Sequence, residues 1–377
     1  MVLPVRDDII FSDVRALMQK AVSDHVFPGG VLLASYKGTI IFHEAYGVSD
    51  VYSGRKTSIS TVFDLASLTK PLSTGLALMK LCSDKRLDPN DTLPVYLNRY
   101  GKTDKKNIRI ISLMNHTSGL APHREYYNDL MKFPLEERLK IRCDMLLSEK
   151  PVYQMGTKVV YSDLGFMILK QLIEEITGTT LEIYLEKSVY SPLGIKGLYY
   201  IREKTPSVIP DNDSTDYAST ELCPVRKRVI SAEVHDLNAY SIGGVDGHAG
   251  LFGTTETIYK VLSILYNEYM GCETLFSEKW AHYFLKRHNE NRPIESERAL
   301  TFDTPSVCGS SSGRFFSVNS VGHLGFTGTS FWMDLDKNLI IILLTNRVHP
   351  DAGNIRIRNF RPVIHDEIMK AMQYARY

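Results

Sequence analysis

The chain has 377 residues, 44% of them hydrophobic, 23% charged and 10% aromatic, a balance that excludes disordered, fibrous and low-complexity classes. Lys and Arg number 44 against 43 Asp and Glu, for a net charge of +1, so no basic surplus is present for nucleic acid or for an anionic membrane surface. At about 150 residues per domain, the length predicts two domains or one large domain with an insertion. The five cysteines, Cys82, Cys143, Cys223, Cys272 and Cys308, are scattered and show no CxxC spacing. That argues against a disulfide framework or a zinc site and for a reducing compartment. The N-terminal stretch carries acids where a signal peptide needs an apolar run, and the longest apolar run, Leu339 to Leu344, is too short to span a bilayer. A cytoplasmic protein is expected, or a periplasmic one if an export signal has been removed.

In chain order, Ser12 to Val22 has helical apolar spacing and ends before the breaker Pro28-Gly29-Gly30. Val31 to Tyr36 and Thr39 to Tyr46 read as strands joined at Lys37-Gly38 like a hairpin. Ser67 to about Leu87 is helical again. From 88 to 235, helical runs such as Leu164 to Ile176 alternate with loops bearing Pro and Gly. Ser330 to Leu335 and Leu339 to Thr345 are strands flanking the turn-forming Asp336-Lys337-Asn338, and Val363 to Tyr374 closes the chain as a helix. Strands at both ends with helices between predict an α+β fold. Its antiparallel sheet is assembled from the two termini, residues 1–87 and 236–377. Residues 88–235 form an inserted, mostly helical domain, with a cleft between the two parts.

The informative segment is Phe63-Asp64-Leu65-Ala66-Ser67-Leu68-Thr69-Lys70. Ser67 stands at a predicted helix start and Lys70, three residues on, shares its face. A serine hydroxyl needs a base within hydrogen-bond reach, and a lysine amine serves if burial or a nearby cation lowers its pKa. A helix start also offers the serine N–H as an oxyanion donor. Pro71 is tolerated only in a first turn, which agrees with Ser67 at or near the N-cap. SxxK alone arises by chance about once in a chain of this length, and N-cap serines are common.

Three more segments change its weight: Asn115-His116-Thr117-Ser118-Gly119-Leu120, a helix-ending turn; Tyr161-Ser162-Asp163, before an amphipathic helix; and His323-Leu324-Gly325-Phe326-Thr327-Gly328-Thr329-Ser330, before the late strands. In this order, from about residue 25 to 350, they resemble the serine β-lactamase and penicillin-binding-protein superfamily. The likeness is to its class C branch and to the related esterases and D-alanyl-D-alanine peptidases. That resemblance implies a β-lactamase/transpeptidase-like fold and no cofactor or metal. It makes Ser67 the acylated nucleophile, Lys70 its activating partner and Tyr161 the proton shuttle between nucleophile and leaving group. It places His323 and Gly325 on the pocket wall, and the N–H of Phe326 beside that of Ser67 in the oxyanion hole. The phenol of Tyr161, with an ordinary pKa of about 10, is expected to be lowered by the charge of Lys70.

Two positions depart from the family pattern. Asp163 replaces an Asn, so an amide donor becomes an acceptor-only carboxylate, fit either to hold Lys70 or to cap the next helix. His323 replaces a Lys, so a permanent cation becomes a group mostly neutral at pH 7. Both weaken the case for substrates with a terminal carboxylate, unless Arg347, Arg356 or Arg358 restores a cation. The expected substrate is a small-molecule ester or amide, with β-lactam or D-alanyl-D-alanine substrates as the alternative and a non-catalytic scaffold as the reading from another class. Gly309-Ser310-Ser311-Ser312-Gly313 matches a GxSxG nucleophile elbow but lacks the strand before and helix after that Ser311 would need. Glu233-Val234-His235-Asp236 and the segment Gly243 to Gly250 fit no standard metal-ligand spacing and read as a glycine-dense turn.

Overall fold

The apolar runs at the two ends of the chain find each other. The computed structural model describes residues 10–202, 215–272, 274–288, 298–306 and 308–375. Its strands in chain order are β1 (Gly29–Tyr36), β2 (Thr39–Asp50), β3 (Arg55–Lys56), β4 (Phe63–Asp64), β5 (Tyr199–Tyr200), β6 (Leu222–Cys223), β7 (Arg228–Val229), β8 (Leu251–Gly253), β9 (Ser320–Leu324), β10 (Ser330–Asp334) and β11 (Leu339–Thr345). Six of them form one antiparallel sheet in the order β3-β2-β1-β11-β10-β9. The hairpin between β1 and β2 turns at Lys37 and Gly38, both at positive φ (48° and 78°), as a two-residue turn matching strand twist requires.

Strand β11 is buried along its whole length and pairs with β1 from Gly30↔Thr345 to Tyr36↔Leu339. Being covered on both faces, it needs no polar alternation, which explains its unbroken aliphatic run. One face of the sheet, with Leu32, Ala34, Trp332, Ile341 and Leu343, packs on residues of the helices Ser12–Ser23 and Ile357–Ala375. The opposite face, with Val31, Leu33, Phe331, Ile340, Ile342 and Leu344, joins the larger core that includes helices Leu76–Ser83, Asp163–Thr177 and Thr255–Tyr269. The architecture is therefore α+β, as expected. The closing helix begins before Pro362, not after it, because Ile357 and Phe360 are buried in the terminal-helix core and that burial outweighs the break a proline favours. Among the described residues, no helix is long and apolar enough to cross a membrane.

A smaller sheet, β4-β8-β5, holds the chain just before Ser67. Edge strand β9 of the large sheet brings His323 to the same region.

Candidate active site

Ser67 is presented by a strained turn. Strand β4 ends at Asp64, whose Oδ1 accepts the Ala66 N–H at 2.8 Å and whose Oδ2 accepts the His235 N–H at 2.6 Å. Ala66, a non-glycine residue, is held at φ 46°, a conformation that persists only where the surroundings over-determine it. The predicted helix start is a 3₁₀ turn, Ala66–Leu68, then a π-helical turn, Lys70–Gly75, and the α-helix proper runs Leu76–Ser83. Pro71 sits in the first turn, where its missing N–H costs nothing.

Lys70 is buried and its Nζ donates to Ser67 Oγ at 2.9 Å and to the His248 carbonyl at 3.2 Å. It also pairs with Asp163 Oδ1 at 2.8 Å and lies 4.7 Å from the centre of the Tyr161 ring. Burial opposes the ammonium charge, but Asp163 and Tyr161 outweigh it, so the Lys70 pKa is raised rather than lowered. The lowered pKa that a base-like amine would need is therefore not met, while the positive charge expected beside Tyr161 is present. Burial pushes the Tyr161 phenol up, and Asp163 offsets part of the pull from Lys70, so its pKa is also raised instead of lowered. Burial opposes the Asp163 charge as well, yet Lys70 holds that carboxyl far below the usual range. The local resting state is therefore ammonium, carboxylate and neutral phenol.

The helix Asp163–Thr177 explains how Asp163 is free to do this. Its N-cap is Ser162, whose Oγ accepts the Gly165 N–H at 3.4 Å and donates to the Ala121 carbonyl at 2.6 Å. Of the two roles left open for Asp163, the structure shows the ion pair with Lys70, while Ser162 makes the cap. Asp163 Oδ2 also meets His123 Nδ1 at 3.3 Å. His116 lies in the expected turn, but the sequence did not reveal its contact with Tyr161, a stacked pair with ring centres 4.6 Å apart. His116 Nδ1 accepts the Ser162 N–H at 3.0 Å, which assigns its proton to Nε2. Burial, Arg298 and Lys70 keep this ring neutral.

On β9, His323 is buried 6.0 Å from the Tyr161 ring, with Nδ1 donating to the Leu324 carbonyl at 2.9 Å and Nε2 unpartnered. Burial lowers its pKa to about 4. The loop after it is pinned to the turn that carries Ser67: Thr327 Oγ1 donates to the Asp64 carbonyl at 2.7 Å and Thr329 Oγ1 to the Leu65 carbonyl at 3.0 Å. A Cβ at Gly325 would fall 2.7 Å from the Leu65 carbonyl, so glycine alone allows this approach. The Phe326 ring is exposed and stacks on His235, 5.5 Å between centres.

Behind Lys70 lies a buried chain of charges that spacing did not disclose. Arg142 pairs with Asp246, whose Oδ2 is 3.3 Å from His248 Nδ1, and His248 Nε2 is 3.0 Å from Asp236 Oδ1. Burial disfavours the imidazolium, but the two carboxylates push the His248 pKa up to about 10. The glycine density of this segment reflects close backbone packing: a Cβ at Gly247 would meet the Phe166 carbonyl at 2.2 Å and one at Gly250 the Gly244 carbonyl at 2.3 Å. Among the described residues no group of His, Cys, Asp and Glu could hold a metal ion. Asp246→Ala strands Arg142 in the interior and is expected to cost about 3–5 kcal/mol of stability. Denaturant titration checks this, and a loss below about 1 kcal/mol would show that water or a rearranged partner screens the arginine. His248 adds stability that is complete below its ordinary pKa of 6.5 and is lost as pH rises through about 10.

Of the other candidate residues in the sequence, Arg347 reaches the Phe326 loop. Ser311 is in a loop where its carbonyl accepts from His365 Nδ1 at 2.9 Å. Arg347 is buried and donates to the carbonyls of Ala352, Asn354 and Phe326; exposed Arg356 donates to those of Asp24 and His25. Arg358 is exposed on the closing helix. Arg347 and Arg356 are thus committed to backbone carbonyls.

A buried lysine on the hydroxyl of a serine three residues back, beneath a tyrosine and beside the edge strand of an α+β sheet, defines a serine hydrolase of the SxxK class. The family model described as Beta-lactamase matches residues 14–361, and the chain belongs to that family. It is 33% identical over 359 residues to the N-acetylmuramyl-L-alanine amidase of Bacillus subtilis (strain 168), covering 86% of this chain and 78% of that protein. It is 30% identical over 359 residues to a Salmonella heidelberg (strain SL476) protein named "Putative D-alanyl-D-alanine carboxypeptidase", covering 89% of this chain and 82% of that one. The solved structure of EstCE1, a hydrolase with promiscuous acyltransferase activity, shares the fold, with a TM-score of 0.72 at 18% identity over 95% of this chain and 100% of that one.

Proposed function

We propose that the chain cleaves a small carboxylic ester or amide through an acyl-enzyme on Ser67. The observation that carries the proposal is the contact of Lys70 Nζ with Ser67 Oγ at 2.9 Å while the same ammonium is held by Asp163 at 2.8 Å. Lys70 is then a fixed cation rather than a base, and the neutral Tyr161 phenol works as a two-way shuttle. As Ser67 Oγ bonds to the substrate carbonyl carbon, its proton passes to the Tyr161 oxygen and the proton already there passes to the departing oxygen or nitrogen. Departure of the phenol proton runs ahead of arrival of the serine proton, and Lys70 stabilises the phenolate character that develops in between. The N–H groups of Ser67 and Phe326 hold the carbonyl oxygen as it becomes an oxyanion. Water reverses the sequence: it attacks the acyl carbon, gives its proton to Tyr161, and Tyr161 returns one to Ser67.

Turnover of a short-chain nitrophenyl ester measured beside a chromogenic cephalosporin tests the substrate class. A cephalosporin turned over far faster than the ester would overturn the ester and amide reading. The second reading, a D-alanyl-D-alanine carboxypeptidase or β-lactamase, is supported by the name of the Salmonella relative, whereas the Bacillus relative's name favours an amide. We place the domain divisions at residues 87/88 and 235/236, a reading supported by the pairing of N- and C-terminal strands in one sheet. A reducing, cytoplasmic location accords with five free cysteines.

His323 supplies a sharper test. With its pKa lowered to about 4 by burial, the wall carries no imidazolium charge down to about pH 5. Matched esters with and without a free carboxylate are expected to show nearly equal kcat/KM at pH 8 and at pH 5.5. In His323→Lys the carboxylated ester should gain tenfold or more, as a charge-assisted hydrogen bond contributes ~1.5–3 kcal/mol. A strong carboxylate preference in the wild type at pH 8 would overturn the assignment and point to the peptidase reading.

A further inference from the structure

Arg361 is 5% exposed, and its neighbour Arg347 is 6% exposed. Neither takes part in any ion pair among the described residues. Burial pushes the Arg361 pKa down to about 9, and Arg347 and Arg358 add to that direction; no carboxylate opposes it. An uncompensated interior cation is costly, since desolvation alone amounts to several kcal/mol per ion. It persists where something else is gained.

The partners of Arg361 say what is gained. Its Nη2 donates to the Gly325 carbonyl at 3.3 Å and to the Thr329 carbonyl at 3.0 Å, while Nε is buried without a partner. The Gly325 carbonyl also accepts the Gly328 N–H at 3.2 Å, and the Gly325 N–H donates to the Thr329 carbonyl at 2.7 Å. Gly325 O belongs to the same peptide group as the Phe326 N–H. Arg347 acts one peptide further on, donating to the Phe326 carbonyl. A cation on a carbonyl oxygen draws electron density across the amide and makes the N–H at its other end a stronger donor, since hydrogen bonds in series polarise one another in a low-dielectric interior.

We infer that Arg361 is a positioning residue for catalysis, which, through the Gly325–Phe326 peptide, fixes and polarises the Phe326 N–H as an oxyanion donor. This rests on the reading of Ser67 as nucleophile and Phe326 as donor. It adds a distant, fully enclosed charge to the oxyanion hole, one that contacts neither substrate nor nucleophile. The gain is realised only as the oxyanion forms, so Arg361 should act on kcat and leave KM nearly untouched.

The test is Arg361→Gln, which keeps a neutral N–H donor near the carbonyls, and Arg361→Lys, which keeps the charge with a shorter reach. Nitrophenyl ester kinetics are measured together with the infrared carbonyl stretch of the acyl-enzyme, which drops as the oxyanion hole pulls on the carbonyl. Thermal melts accompany each variant. Arg361→Gln is expected to lose about 10- to 100-fold in kcat, less than or comparable to removal of a whole oxyanion donor. KM should stay within about threefold, and the stretch should move to higher frequency. Arg361→Lys should fall between wild type and Gln on both readouts. An unchanged kcat, or a loss of kcat with an unmoved carbonyl stretch, would overturn the inference and leave Arg361 a structural brace. If Arg361→Gln does not fold, the Lys variant decides: a carbonyl stretch at higher frequency than wild type supports the inference and an unshifted one overturns it. Absence of any acyl adduct on Ser67 in the wild type would instead overturn the nucleophile assignment and this inference with it.

Discussion

Ser67→Ala is expected to abolish covalent labelling by a fluorescent phosphonate and to lower ester turnover on the order of 10⁴-fold or more, while Ser311→Ala leaves both intact. The contrast follows from surroundings, not from motif strength. Ser67 stands on a turn held at φ 46° by the Asp64 carboxyl and receives a hydrogen bond from a buried ammonium. Ser311 lies on a loop between Ser310 and Ser312, with its carbonyl, not its hydroxyl, bonded to His365. Peptide mass spectrometry of the labelled protein is the deciding measurement. An adduct on Ser311, or labelling that survives Ser67→Ala, would mean that the nucleophile has been misassigned.

Replacing Lys70 by Met or Tyr161 by Phe is expected to reduce turnover by on the order of 10²-fold or more each, with the double variant losing little beyond the larger single loss. Both act on one proton path, so once either is gone the other has nothing left to stabilise or pass on. The two variants should differ in stability. Lys70→Met leaves the Asp163 carboxylate, 18% exposed on its side chain, without the cation that holds its pKa far below the ordinary value. In the wild type that pairing adds stability above the ordinary Asp pKa of 3.8, which is lost as pH falls. Lys70→Met should therefore destabilise the protein at neutral pH by up to about 3–5 kcal/mol and flatten its acid-unfolding profile. Tyr161→Phe removes only a hydroxyl, and its melt should stay close to wild type. Fully additive losses in turnover would show that the two residues perform separate steps, contrary to the shuttle.

Strands β1, β2, β10 and β11 of the main sheet were legible because a face or a whole strand must be apolar to be buried, and that leaves a pattern along the chain; the edge strands β3 and β9 carry too short a pattern and were not read. Leu339 to Thr345 was placed to the residue, and the hairpin at Lys37-Gly38 announced itself by a turn that needs positive φ. Ser67 and Lys70 were legible for the same reason of locality, since three residues along a helical turn fix a shared face. The protonation states were not. A lysine near a serine suggests a base, yet whether it keeps its proton depends on a carboxylate 93 positions away, and Asp163 reaches Lys70 only because Ser162 has taken the cap.

The His248 clamp and the arginines under the Phe326 loop were equally out of reach, because a single buried charge carries no periodicity and its partner is chosen by packing. Arg142 and Asp246 are separated by 104 positions, Arg361 and Gly325 by 36. Local geometry, backbone turns and apolar faces were thus determined along the chain. Which charges meet in the low-dielectric interior, and therefore which groups hold protons at the site, was decided by the tertiary fold, since the energy of a buried charge depends on distances that only folding sets.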